Sequence, residues 1–325
     1  SAPSRIVTLA NRTALVDENE HAAAFERNRP FLARLAYRMT GSLADADDLV
    51  QDAYLRWRRA PPGEINDARA FLGKTVTRLC LDHLKSARAR REIYVGPWLP
   101  DSLVEPVDGG WDGRDALDDA LIEKESISTA MMLALERMSP LERAAVILRD
   151  AFDVPFADIA RWLEREEANC RQLAARGRAH LKAARPRFPV SPDEAAALTQ
   201  AFIDAATTGD LNELKSRLAQ NAVLRADGGG KALAALKPIF GRDRVTRFFA
   251  GVFRKQGGVP PQKIDFVRID GAPGAVVTTS GDARHTIAVT IDGGRITEIY
   301  IMRNPDKLGR MLQSPPKWNT WFGFR

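Results

Sequence analysis

A chain of 325 residues with 45% hydrophobic residues is long enough for two or three domains, each with its own core. No run approaches the ~20 apolar residues of a membrane span, the N-terminus lacks the basic-then-apolar pattern of a signal peptide, and two distant cysteines make no disulfide framework, so a reducing, cytoplasmic setting is expected. Net charge is +6, from 48 basic and 42 acidic residues, and its distribution says more than its sum: residues 45–52 (DADDLVQD) are acidic, 85–91 (KSARARR) are basic, and 171–187 carry six unopposed cations, which suggests two kinds of partner, one of them polyanionic.

Residues 1–20 show no apolar period, which predicts a flexible N-terminal segment. From Phe25 to about Arg91 the pattern is helical. Leu32, Leu35, Ala36 and Met39 keep a three–four spacing, as do Ala46, Leu49, Val50, Ala53 and Trp57. Ala60-Pro61-Pro62-Gly63 interrupts the chain. In a third helix Leu72, Val76, Leu79 and His83 share one side, and Lys74, Arg78 and Lys85 fall nearly opposite.

Residues 93–120 are rich in Gly, Pro and acids, as a linker is. Trp98, Leu99 and Trp111 are too apolar for a plain solvated tether, so part of this segment is expected to dock. Helical pattern returns near Leu121. Ser139-Pro140-Leu141-Glu142 reads as a capping box with Pro at the first helical position. Asp153-Val154-Pro155 breaks the chain, and helices at 156–163 and about 167–183 then have helix–turn–helix spacing. Ser191-Pro192-Asp193-Glu194 opens a further domain with helices at 192–208 and 211–219. Strand-like runs follow at 264–269, 275–280, 285–291 and 295–302, the last two joined at Gly293-Gly294. Helices first and antiparallel strands later indicate an α+β unit.

Four candidate sites emerge. Asp45, Asp48 and Asp52, with Gln51 beside them, lie on one helical face, and Leu49, Ala53 and Trp57 occupy another. Such a face is either solvated or bound to a basic protein surface, which would offset the repulsion between like charges three apart. Asn66, Arg69 and Phe71 stand at a loop–helix junction, with Lys74 and Arg78 following. Cations neutralise phosphates, while a ring and an amide can hold an unstacked base; Phe71 could equally be core. In the helix–turn–helix, Cys170 is inward and Arg171, Gln172 and Arg176 project outward. Arg and Gln can read base edges in a major groove. DGGGK at 227–231 is either an anion cradle or a flexible turn. Cys80 and His83 form a C-x-x-H pair, but zinc needs four ligands and no second pair exists, so no metal site and no cofactor are expected.

Several segments together resemble a known family. FLARLAYRMTGSLADADDLVQDAYLRW (31–57) and INDARAFLGKTVTRLCLDHLKSARARRE (65–92) resemble region 2 of sigma-70-type factors. SPLERAAVILRDAFDVPFADIARWLEREEANCRQLAARGRAHL (139–181) is similar to region 4. Both regions without a region 3 between them resemble the extracytoplasmic-function class. GPWLP (96–100), DGGGK (227–231) and NPDKL (304–308) resemble the subgroup with a SnoaL-like extension.

The resemblance implies a multidomain chain. It has a flexible 1–20, an all-α region 2 bundle at 21–92, a linker at 93–120, and an all-α region 4 helix–turn–helix at 121–190. A SnoaL-like α+β cone with a curved antiparallel sheet occupies 191–325. Asp45, Asp48, Gln51 and Asp52 would meet the β′ clamp of core RNA polymerase, and region 4 the β flap. Asn66, Arg69, Phe71, Lys74 and Arg78 would handle the melted −10 strand of promoter DNA, and Arg171, Gln172 and Arg176 the −35 groove. Trp98, Leu99 and Pro100, with Asp227, Gly228, Gly229, Gly230 and Lys231 and with Asn304, Pro305 and Asp306, would form an intramolecular regulatory interface, with no separate anti-sigma protein required. Glu166 and Glu167 at the start of the recognition helix repel phosphate, and Gly177 weakens that helix by about 1 kcal/mol relative to Ala. SnoaL-like folds also host enzymes, for which His285 and Asp265 are the candidate bases by type; no catalytic residue is assigned, because fold does not imply function. A one-component regulator responding to a small molecule in the cone, and an enzyme fused to a DNA-binding module, are the competing readings.

Overall fold

The computed structural model describes the backbone of residues 4–60, 65–92, 94–106 and 127–312, and the side chains of 20–60, 65–86, 94–105 and 127–312. Trp111 and the aromatic tail of Trp318, Trp321, Phe322 and Phe324 lie outside the described residues. The chain divides into a helical unit, built from Ser1–Ala89 and Leu135–His180, and an α+β unit, built from Arg90–Ala134 and Leu181–Gln313.

The helical unit begins with α1 (Ser4–Thr40), α2 (Leu43–Arg59) and α3 (Ala68–Glu92). The missing apolar period at 1–20 predicts a loose segment, yet α1 begins at Ser4. No glycine or proline stands between Pro3 and Pro30, so nothing in the backbone chemistry interrupts the helix. Ser42 caps α2 by accepting from the Asp45 N–H (3.2 Å). Leu32, Leu35 and Met39 of α1, Ala53 of α2, and Leu72, Val76 and Cys80 of α3 are fully buried. Each large side chain among them contributes about 1.5–3 kcal/mol. His21 stacks on Trp57 at 3.9 Å, and the indole N–H donates to the His21 carbonyl (2.9 Å), which ties α1 to α2.

α4 (Thr129–Glu136) leads to α5 (Pro140–Val146), a π-turn at Ile147–Ala151, α6 (Phe156–Leu163) and α7 (Glu167–Ala184). The capping box at Ser139 is complete: the Ser139 hydroxyl accepts from the Glu142 N–H, and the Glu142 carboxylate accepts from the Ser139 N–H. Gly177 has a packing reason that outweighs its cost in helix propensity. A Cβ there would meet Val146 Cβ at 2.9 Å, so glycine lets α7 cross close to α5.

In the α+β unit, α8 (Pro192–Thr208) and α9 (Leu211–Arg217) precede β2 (Leu218–Asp227), with β1 (Val104–Pro106) supplied from upstream. Then come β3 (Ile239–Phe240), α10 (Arg242–Lys255), β4 (Lys263–Ile269), β5 (Ala272–Thr278), β6 (Arg284–Asp292), β7 (Arg295–Met302) and α11 (Pro305–Met311). The seven strands order as β1-β4-β5-β6-β7-β2-β3. Pairing is antiparallel except between β2 and β7, which run parallel, so the sheet is mixed where antiparallel pairing throughout is expected. A parallel pair needs a long crossover, and everything from β3 to β6 separates these two strands.

Both faces of the sheet are buried. Phe202 and Ile203 of α8, Leu214 of α9, and Val245 and Phe249 of α10 pack on one face against Leu224, Ala275, Ile287 and Ile299. Leu99, Val104 of β1, and Leu308 and Met311 of α11 pack on the other against Val267, Val276, Ala288 and Tyr300. Residues expected in the linker thus form part of the α+β core.

Candidate functional site

In the helical unit, α2 presents Asp48, Gln51 and Asp52 together as exposed side chains. Asp45 departs from that face: it is half-buried, and its carboxylate lies 3.4 Å from His83 Nε2 of α3. Cys80, the other member of the C-x-x-H pair, is buried, and burial pushes its thiol far up.

Asn66 and Arg69 are exposed at the start of α3, and the Arg69 guanidinium lies 4.2 Å over the Phe31 ring. Phe71 is half-buried, tilted against Trp57 at 5.7 Å, so this ring serves the core at one edge. Lys74 is half-buried. Arg78 is ion-paired with Glu164, the left-handed residue that ends α6. One turn earlier, a Cβ on Gly73 would meet the Trp162 ring at 2.5 Å, so α3 and α6 touch at a position only glycine fits. Of the −10 candidates, Arg78 therefore lies against the first helix of the helix–turn–helix.

On α7, Arg171, Gln172 and Arg176 all project outward, opposite buried Cys170, Leu173 and Ala174. Arg171 pairs with Glu167 and lies 5.2 Å over the Phe156 ring. Arg176 pairs with Glu142 at 2.7 Å. Gln172 has no partner among the described residues. Glu167 thus pairs with Arg171, and Arg178, one of the six cations of 171–187, is held bidentately by Asp150 (2.6 and 2.8 Å).

In the α+β unit the three motifs converge on Asp227, which is fully buried at the end of β2. Its carboxylate accepts four hydrogen bonds: from the Tyr94 hydroxyl (2.7 Å), the Gly229 N–H (3.0 Å), the Leu99 N–H (3.0 Å) and Lys307 Nζ (3.0 Å). Two carboxylate oxygens offer about four lone-pair sites, so the group is saturated. Lys307 also donates to the Leu99 carbonyl and lies 4.3 Å over the Trp98 ring. Asn304 donates to the Tyr94 hydroxyl (2.9 Å) and caps α11 through the Asp306 N–H (3.1 Å). A Cβ on Gly229, at φ +60°, would meet Asn304 Nδ2 at 2.4 Å, so this glycine permits the close approach of the two motifs. Lys231 pairs with Asp306 at 2.6 Å on the surface. Burial and the neighbouring carboxylate push the Tyr94 hydroxyl well above its usual pKa. Leu99 and Pro100 are buried and Trp98 is half-buried.

Sequence reasoning missed Tyr94 and Lys307, although both adjoin or lie in quoted motifs. It also missed a second anchor. Asp270, in the β4–β5 turn at φ 52°, accepts from the Leu103 N–H (2.8 Å) and the Thr129 hydroxyl (2.6 Å). Burial raises its pKa to about 6. Asp-Gly turns leave no sequence mark of what they bind.

Asp265 and His285 lie on opposite faces of the sheet. Asp265 registers with Val276 and, through it, Thr286, while His285 registers with Val277, one residue out of phase. They do not form a pair. Asp265 is paired with Lys263 at 2.8 Å, and burial lowers the His285 pKa to about 4.

Family models of sigma-70 region 2 and of sigma-70 region 4 match residues 24–90 and 128–181. The ECF RNA polymerase sigma factor SigJ of Mycobacterium tuberculosis is 38% identical over 293 residues, which cover 87% of this chain and 91% of SigJ. The probable ECF RNA polymerase sigma factor SigI of the same organism is 32% identical over 290 residues, covering 88% and 94%. The crystal structure of M. tuberculosis SigJ matches with a TM-score of 0.68 at 33% identity, covering 89% of this chain and 98% of that one. With similarity running through both units, the chain belongs to the extracytoplasmic-function (ECF) RNA polymerase sigma factors and is a transcription initiation factor.

Proposed function

We propose that the α+β unit controls this sigma factor in cis, by holding the segment that joins regions 2 and 4 and so limiting how far apart they can move. The observation that carries this reading is Asp227, whose carboxylate takes both the Tyr94 hydroxyl and the Leu99 N–H. Those residues lie between the two matched regions. Asp48, Gln51 and Asp52 are the face offered to the β′ clamp of core polymerase. α3 handles the −10 strand, and α7 the −35 element. Elements named for positions −10 and −35 are about 25 base pairs apart, or ~85 Å at 3.4 Å per pair. The Gly73–Trp162 and Arg78–Glu164 contacts are incompatible with that span, so α3 and α6 separate when the promoter is read.

A chain shortened by anchoring reaches a narrower range of spacings. Transcription by the holoenzyme on promoters whose −10/−35 spacer varies by single base pairs tests this. The parent should favour one length, and Asp227→Asn together with Lys307→Met should broaden the range. An unchanged spacer profile from a folded variant would remove the cis-control reading and leave the sigma assignment intact.

A further inference from the structure

The helix α10 (Arg242–Lys255) packs one face into the core of the α+β unit through Val245, Thr246 and Phe249. At ~100° per residue, Arg244, Arg247, Gly251, Arg254 and Lys255 fall within roughly 100° of arc on the opposite side. The four cations are exposed. The helix holds five basic residues and one acid, Asp243. That acid is engaged at 2.7 Å by Lys215 of α9, and the pairing holds its carboxyl below the usual range.

Many other cations of the unit are engaged, whereas those left without a partner among the described residues, such as Lys237 and Arg284, do not line up along one helix face. Arg217 pairs with Glu213, Arg225 with Glu298, Lys231 with Asp306, Lys263 with Asp265 and Lys307 with Asp227. Arg295 and Arg303 donate to backbone carbonyls. No side chain of Arg244, Arg247, Arg254 or Lys255 makes a hydrogen bond or ion pair to another described residue. Gly251, in the middle of the stripe, has open space around it, so a partner surface can approach the helix closely there.

We infer that this stripe is a second DNA-binding surface of the chain, one that grips the phosphate backbone of duplex DNA without reading sequence. A stripe of four cations extends ~16 Å along the helix, and over that length a duplex presents several phosphates. Two features favour DNA as the occupant. The side chains are nearly all arginine, which binds phosphate oxygens bidentately. The chain is a sigma factor, so duplex flanking the promoter is at hand whenever it works. No base contact is implied, because phosphate contacts position a protein and carry no sequence information. The inference does not depend on cis control by Asp227.

The test uses the full-length chain and a random-sequence duplex without polymerase, followed by fluorescence anisotropy over a range of salt concentrations. Each lost phosphate contact should reduce the slope of log K against log salt by about 0.9. Arg247→Gln with Arg254→Gln should therefore flatten the slope by about 2. Lys237→Gln with Arg284→Gln, which removes the same charge at exposed positions off the stripe, should leave the slope nearly unchanged. Matching thermal melts would show that both variants fold. Equal slopes for the parent and the stripe variant, or equal loss in both variants, would overturn the proposal. So would loss of binding to core polymerase by the stripe variant with its DNA slope intact, since that outcome assigns the stripe to an acidic protein surface.

Discussion

The two faces of the sheet are covered in different ways. On one, α8, α9 and α10 supply Phe202, Ile203, Leu214 and Phe249, all from within the same hundred residues as the strands they cover. On the other, Leu99 and Val104 arrive from upstream of region 4, and only α11 is local. The helix face is held by apolar burial. The linker face adds two buried carboxylates, Asp227 and Asp270, each accepting from backbone N–H groups of the incoming segment. A chain segment without a helix of its own must satisfy its backbone donors elsewhere, and these two aspartates do that. The contrast suggests a permanent core on one side and a releasable strap on the other.

Substitutions can break this contrast, beginning with the largest expected effects. Phe202→Ala, on the helix face, should cost about 3–5 kcal/mol and lower the stability of the whole α+β unit, measured by urea denaturation. Asp227→Ala leaves the Lys307 ammonium and two backbone donors without their acceptor, and should cost a comparable ~3–5 kcal/mol. Its signature differs: limited proteolysis should cut at residues 94–106 before the sheet is lost. If Asp227→Ala and Phe202→Ala unfold the same residues together, the strap is part of one cooperative core. Leu99→Ala removes apolar contact without stranding a charge. It should cost about 2–4 kcal/mol, with the same local cleavage pattern.

Titration separates the faces more finely. Asp270 has its pKa raised by burial from 3.8 to about 6. The folded form holds a proton that the unfolded form releases, so this group's contribution falls as pH rises from about 4 to about 6. His285, on the helix face, is lowered by burial from 6.5 to about 4. There the unfolded form binds the proton more tightly, so its contribution grows as pH rises from about 4 to 6.5. The two oppose each other in one window. Asp270→Asn should make melting temperature climb more steeply with pH, and His285→Gln should flatten or reverse the climb. Melts with parallel pH profiles in all three proteins would show that neither group titrates with folding. The smallest effect is expected in the helical unit. Glu164→Gln, which breaks an exposed pair with Arg78, should change stability by less than about 1 kcal/mol.

Sequence reasoning went furthest where one local rule decides the outcome. Three–four apolar spacing locates the buried stripes of α1, α2 and α3, and Ser139 with Glu142 announces its own cap. Alternation marks β4 to β7. It passes over β2, where a register shift between Leu218 and Val223 breaks the alternation. It also passes over α10, whose Arg-rich face hides a narrow apolar stripe. The three motifs of the strap are visible as strings of residues, but Tyr94 and Lys307 become part of the site only through contacts 133 and 80 positions away in the chain.

By itself, then, the sequence determines most of the helical segments, the helix–turn–helix spacing, the hairpin at Gly293-Gly294 and the placing of charge, because each follows from neighbours within a turn or a strand. Tertiary structure decides which of those charges are spent. Arg78, Arg171 and Arg176 are each paired with a carboxylate, Asp227 is saturated by four donors, and the cations on the outer face of α10 remain unengaged among the described residues. Pairing depends on which groups the fold brings within a few ångströms of each other. A buried carboxylate, unlike an apolar stripe, has no periodic pattern to show where its partners will come from.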